Sequence, residues 1–172
     1  KDPEAWFKRI DFFVALLNQM AKQVEVKSIH FINYAGILEK HGVEYYFLKR
    51  NWIHLLYPIG IHRYVRRLRP DIVVVHGLQF SWQLFWLRWQ IGDDVKIIVQ
   101  HHAERPLRHY KRVLQKLNDR YISAYFFTSR DQAVPWVKEK QIKSLDKVVE
   151  IMEVPSVFGP MERNVAIQRT GL

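Results

Sequence analysis

Asp71-Ile72-Val73-Val74-Val75-His76-Gly77 is the stretch that decides how this chain is built. Four consecutive β-branched residues after Pro70 predict a strand covered on both faces, as strands of parallel sheets are, and Gly77 ends it. Working outward, Val95–Gln100 repeats the pattern and runs into His101-His102. Ala124–Thr128 is a third such strand, and Val148–Met152 a short fourth. Helical spacing fills the gaps. One helix is expected over Trp82–Gln90, capped by Ser81, and another over about Tyr110–Tyr121. A third runs over about Asp131–Lys140, with Thr128-Ser129 as its cap. Strands alternating with helices at these intervals imply βαβ units.

Upstream, Ile61, Tyr64, Val65 and Leu68 share one face of a basic helix, Ile59–Leu68, that Pro70 closes. Strands are expected at Val24–Asn33 and Val43–Leu48, with Gly36 and Gly42 around a loop between them. Trp6, Ile10, Phe13, Leu17 and Ala21 recur on one face of a first helix, with Asp2 as N-cap and Pro3 in its first turn. The expected fold is α/β: a Rossmann-like, doubly wound, mainly parallel sheet with helices on both faces.

The chain has 172 residues, 27 Lys+Arg against 17 Asp+Glu, a net charge of +10, and no cysteine. The absence of cysteine excludes a disulfide framework and a thiolate zinc site. The charge favours anionic partners, whether nucleic acid, an anionic lipid surface or phosphorylated substrates, or serves solubility alone. No apolar run approaches the ~20 residues that span a bilayer. The first residue is Lys1 rather than Met, so an N-terminal piece containing the first strand is expected upstream. Seven glycines supply no G-x-G-x-x-G, no G-x-x-x-x-G-K-[ST] and no G-x-S-x-G. Complete dinucleotide-binding dehydrogenases, P-loop enzymes, epimerases built on the Gly-rich fingerprint and α/β-hydrolases are therefore disfavoured.

In an open parallel sheet, ligands bind beyond the carboxyl ends of the strands. That rim gathers His76, Gly77 and Gln79 after one strand, and Gln100, His101, His102, Glu104 and Arg105 after the next. Histidine there can donate, accept or shuttle a proton, and Arg105 can clamp a phosphate or carboxylate. The plainer reading is that the histidines hydrogen-bond nearby loops. No metal site is expected, because adjacent His101 and His102 point to opposite sides of a strand end. Trp82, Phe85, Trp86 and Trp89 form a stripe at helical spacing, read as core packing with a membrane-dipping face as the alternative. Arg63, Arg66, Arg67 and Arg69 are either a solvated face or a dock for anionic headgroups.

Four segments resemble one family. Arg66-Arg67-Leu68-Arg69-Pro70-Asp71-Ile72-Val73-Val74-Val75-His76-Gly77, Ile97-Ile98-Val99-Gln100-His101-His102, Phe127-Thr128-Ser129-Arg130-Asp131-Gln132-Ala133 and Val149-Glu150-Ile151-Met152-Glu153-Val154-Pro155-Ser156-Val157-Phe158-Gly159-Pro160 are similar, in order and spacing, to the N-terminal half of GT-B glycosyltransferases of the large, mostly retaining family 4. The family's Asn-Gly-Val-Asp is replaced around Val154–Val157, and its Gly-rich loop would lie before Lys1.

The resemblance implies an N-terminal acceptor domain over residues 1–158 and, over 159–172, the start of a linker toward a C-terminal donor domain. It implies His102 as the cleft histidine, with His76, Gly77, Gln79, Gln100, His101, Glu104 and Arg105 around the acceptor. This domain would carry no cofactor of its own. The donor, a nucleotide-sugar, would bind the second domain, and the acceptor would be a sugar or a lipid-linked sugar. The fragment alone would be inactive. The implied location is cytoplasmic, with peripheral attachment at the inner face of the cell membrane as a further expectation. The competing expectation is a non-catalytic module that docks on anionic membrane, or less readily nucleic acid, through its basic surface.

Overall fold

A computed structural model describes residues 2–49, 58–152 and 161–171. The chain divides into two compact units, residues 1–50 with 154–172 and residues 51–153.

In the first unit, α1 (Pro3–Arg9) and α2 (Asp11–Met20) stand where the sequence predicts one helix. The Asp2 carboxylate accepts the Glu4 N–H, the expected cap. The break falls at Ile10, where φ is −117°. Asp11, whose carboxylate accepts the Phe12 N–H, restarts the helix. The sheet contains β1 (Val26–Ile32), β2 (Gly36–Lys40) and β3 (Val43–Lys49) in the order β1-β3-β2. β1 pairs with β3 in parallel, and β2 with β3 antiparallel. The expected loop at Gly36 is therefore a strand. Its turn is the two-residue His41-Gly42, with φ of 52° and 77°, the left-handed pair that a tight hairpin requires. Phe7, Val14, Leu17, Val26, Val43, Tyr45 and Phe47 form this unit's core.

The second unit begins, among described residues, with α3 (Ile59–Arg67), followed by β4 (Ile72–His76), α4 (Ser81–Ile91), β5 (Lys96–Gln100) and α5 (His109–Asp119). β6 (Ile122–Phe127), α6 (Arg130–Lys138) and β7 (Val148–Glu150) complete it. The four strands are all parallel, in the order β4-β5-β6-β7. This is the α/β organisation that the alternating pattern predicts, with helices flanking a parallel sheet. The final element of the chain, α7 (Arg163–Thr170), belongs to the first unit.

Three expectations change. The described strands form two sheets, not one. β4 is an edge strand: Ile72 is 52% and Val74 37% exposed, so its β-branched run is covered on one face only. Finally, what the helices bury against the sheet falls in a single cluster, in which Leu84, Leu87, Ala133 and Trp136 meet Val73, Val75, Ile97, Val99, Tyr125, Phe127 and Val148. Strands that step steadily in one direction, joined by crossovers of one hand, place their helices on one side. The described helices of this unit accordingly cover one face rather than two.

The buried stripe of α4 is also not the aromatic one. Leu84 and Leu87 are its core residues, each contributing on the order of 1.5–3 kcal/mol by burial. Trp82, Phe85 and Trp86 are half-buried, Trp82 stacked on Phe85 and Trp86 edge-on to both, and Trp89 is 70% exposed. Ser81 lies inside the first turn instead of capping it; Phe80 holds the cap position. Ser129 does cap α6, its hydroxyl accepting the Asp131 N–H at 3.3 Å. No described helix is long and apolar enough to cross a membrane. The segment at Val154-Pro155-Ser156-Val157 lies outside the described residues.

Candidate functional site

The rim of the four-stranded sheet is assembled from two loops. β4 delivers His76 and then Gly77, whose N–H donates to the Gln100 carbonyl at 2.9 Å and carries the β4–β5 ladder one step past the strands. Gly77 has φ +110°, and a Cβ there would lie 3.0 Å from the Phe80 ring and 3.1 Å from Glu104 Oε1. Glycine is the residue that fits, because the chain doubles back here into a 3-10 turn, Leu78–Phe80.

β5 delivers His101 and His102 to opposite sides, as alternation along a strand requires. His101 is 4% exposed and stacks on Phe127 with ring centroids 4.3 Å apart. Its Nε2 lies 2.9 Å from the Glu104 carbonyl oxygen. A carbonyl only accepts, so Nε2 carries the proton and His101 is a fixed structural donor. His102 is exposed, and its Nε2 is 3.3 Å from Nδ1 of His76 with the rings stacked 5.5 Å apart. One of those two nitrogens donates and the other accepts. This contact joins the two rim loops at their solvent side.

Glu104 joins them beneath. Its Oε1 accepts the Leu78 N–H at 3.0 Å, and its Oε2 accepts the His102 N–H at 2.6 Å. Oε2 is also 3.9 Å from His101 Nε2. Both carboxylate oxygens are thus engaged with backbone of the two histidine loops, and the side chain is only 11% exposed. Its geometry is that of a brace for the rim, where the sequence reading had it facing a ligand.

The remaining sequence candidates scatter. Gln100 is buried, and Gln79 is exposed on the 3-10 turn. Arg105 is exposed and lines an open recess of about 580 Å³ with Pro106, Arg108, Pro135 and Glu139. Arg63, Arg66 and Arg67 project into solvent from α3, and Arg69 from the loop that follows. No group of three or more His, Asp or Glu among the described residues is arranged to hold a metal ion.

No family model matches the chain, and no curated protein matches it.

Sequence reasoning missed several buried polar residues that hold this unit in shape. Arg88, 7% exposed, donates to the carbonyls of Gly92, of Val95 at 2.9 Å and of Tyr121 at 3.0 Å. It ties the end of α4 to the starts of β5 and β6. The signal was present: a lone guanidinium inside an otherwise uncharged helix, Ser-Trp-Gln-Leu-Phe-Trp-Leu-Arg-Trp-Gln-Ile, four residues before Gly92. Gln141 holds both the N–H and the C=O of Leu107, each at 2.9 Å, and so fixes the loop between Glu104 and α5. Two further histidines are shielded from water: His62, buried on α3, and His30, half-buried on β1 of the first unit. Burial lowers both to about 4. The Trp6 indole N–H donates to His30 Nδ1 at 3.3 Å, so protonation there would also displace that bond.

The rim can therefore present an exposed pair of imidazoles, His76 and His102, on a backbone held rigid by Glu104, His101 and Gly77. Such a pair can hydrogen-bond a hydroxyl group and pass a proton along one contact.

Proposed function

We propose that this chain is the acceptor-binding domain of a nucleotide-sugar-dependent glycosyltransferase, one half of a GT-B arrangement. What supports the reading is the His76–His102 contact at the carboxyl rim of a parallel sheet, where such sheets bind ligands. The resemblance of the rim segments to family 4 sequences supports it independently. In this reading His102 touches the acceptor and orients the hydroxyl that attacks. His76 holds the His102 ring, and Gly77 lets the chain pass close beneath. A new bond forms between the acceptor oxygen and the anomeric carbon, and the hydroxyl proton passes to the His102 imidazole. The bond from that carbon to the nucleoside diphosphate breaks, and its electron pair leaves with the diphosphate. A separate donor-binding domain would supply the nucleotide-sugar contacts.

Two measurements test the proposal. Simple glycosides titrated into the isotope-labelled chain should shift the amide resonances of Gly77, His102 and Glu104, whereas a nucleotide-sugar should leave them in place. In the complete gene product, His102→Ala should lower kcat for sugar transfer by about 100-fold, the scale of a lost proton-transfer or orienting group. An unchanged kcat, or glycosides that shift no rim resonance, would overturn the assignment.

A further inference from the structure

α5 is amphipathic in the wrong direction. The side it buries is polar: Gln115, Asn118 and Asp119 are 0%, 2% and 6% exposed. The side it shows to solvent is apolar, with Tyr110, Val113 and Leu117 at 63%, 58% and 43% exposure. These three follow the i, i+3, i+7 spacing of one helical stripe. At 100° per residue, His109, Lys116 and Arg120 fall on the same outward arc. The acid of this helix, Asp119, is on the buried side, where it accepts from the Tyr125 hydroxyl at 2.9 Å and pairs with Lys147 at 3.6 Å. Arg112 is taken up by Glu139 at 3.2 Å.

The inversion is built in rather than accidental. The polar side is specified by partners: Gln115 Nε2 donates to the Tyr125 hydroxyl at 2.9 Å, and Asn118 Nδ2 donates to the Ser81 carbonyl at 2.6 Å. These bonds hold the stripe outward. Three apolar side chains exposed along a single helix cost solvation unless something covers them.

We infer that the outward face of α5 docks this unit on an anionic lipid surface, with Tyr110, Val113 and Leu117 entering the headgroup boundary and Lys116 and Arg120 facing lipid phosphates. An apolar stripe flanked by bases on a helix that is not otherwise hydrophobic is the pattern of interfacial helices. A second copy of the chain is a poorer occupant, because a two-fold contact would gather two Lys116 and two Arg120, four like charges, into one small interface. Nucleic acid is poorer too: Val113 and Leu117 at the centre of the stripe offer phosphates nothing and bases no stacking plane. The inference does not depend on the catalytic proposal, and it places the membrane contact on α5 rather than on the α3 arginines.

The test is vesicle flotation of the wild-type chain with phosphatidylcholine alone and with added phosphatidylglycerol. Binding is expected only with phosphatidylglycerol and should fall as salt is raised. The double variant V113S/L117S should bind about tenfold more weakly, and K116E/R120E likewise, while R63E/R66E should bind as wild type. Unchanged thermal midpoints would show that these exposed positions do not report unfolding. Four lipid-binding or assembly results would overturn the inference, besides the nucleic-acid result given last. They are a wild type that fails to float, a V113S/L117S variant that floats as the wild type does, a wild-type dimer that V113S/L117S abolishes, and binding that R63E/R66E abolishes while K116E/R120E does not. A DNA affinity that K116E/R120E weakens and V113S/L117S does not, without lipid binding, would assign the face to nucleic acid and equally overturn it.

Discussion

Replacing Glu104 by alanine is the perturbation that most directly tests how the rim is held. The carboxylate accepts two backbone N–H groups, at 3.0 Å from Leu78 and 2.6 Å from His102. With the side chain 11% exposed, little water can take its place. Each orphaned donor costs roughly 1–3 kcal/mol, and bonds to a charged acceptor lie toward the upper part of that range. The alanine variant should therefore lose about 3 kcal/mol of unfolding free energy. Glu104→Gln keeps one acceptor oxygen but turns an N–H₂ toward the other backbone donor, and should lose about half as much. Urea unfolding followed by tryptophan fluorescence gives the number, with the m-value expected to stay constant because the surface buried is unchanged. A Glu104→Ala variant within 0.5 kcal/mol of wild type, on the scale of an ordinary surface change, would refute the brace. A glutamine variant as damaged as alanine would show that the charge, rather than the two acceptor positions, is what matters.

Two further outcomes follow from buried groups away from the rim. Arg88→Leu should cost about 3 kcal/mol, since three carbonyls lose their donor, and Arg88→Lys should recover little because one ammonium cannot span all three; a shift in urea midpoint at constant m-value checks both. Burial holds His62 at about 4, against about 6.5 when unfolded, so the unfolded chain binds the extra proton between those values; stability should rise with pH across that window by about 1.4 kcal/mol per pH unit for this residue, and His62→Leu should flatten the slope by that amount in melts from pH 4 to 7.

The parallel unit was legible because its signals are local. The β-branched runs at Ile72–Val75 and Ile97–Val99 end at the histidines that the rim presents, and both fix which end of the sheet carries them. The cap at Ser129 was legible for the same reason. What was not legible depends on partners far apart in sequence. That β4 lies on an edge follows from strand order, which no single strand encodes. The reading of α4 failed because its aromatic residues outnumber its aliphatic ones, yet it is Leu84, Leu87 and Ile91 that join the core against the sheet. β2 was read as a loop because Gly36 and Gly42 both suggested breaks, although only Gly42 with His41 sits in the turn. Glu104 was visible as a charged rim residue, but nothing in its neighbours tells that Leu78, 26 positions earlier, claims one of its oxygens.

The polar underside of α5 has a consequence for how that helix finds its place. An apolar ridge on an apolar groove can slip by a turn and still bury similar area. Gln115, Asn118 and Asp119 cannot, because the Tyr125 hydroxyl and the Ser81 carbonyl sit at single fixed positions beneath them. The helix is indexed like a key with three teeth, admitting one axial setting and one rotation. Its outer surface is thereby released from any duty in assembly, and can change in sequence without altering where the helix sits.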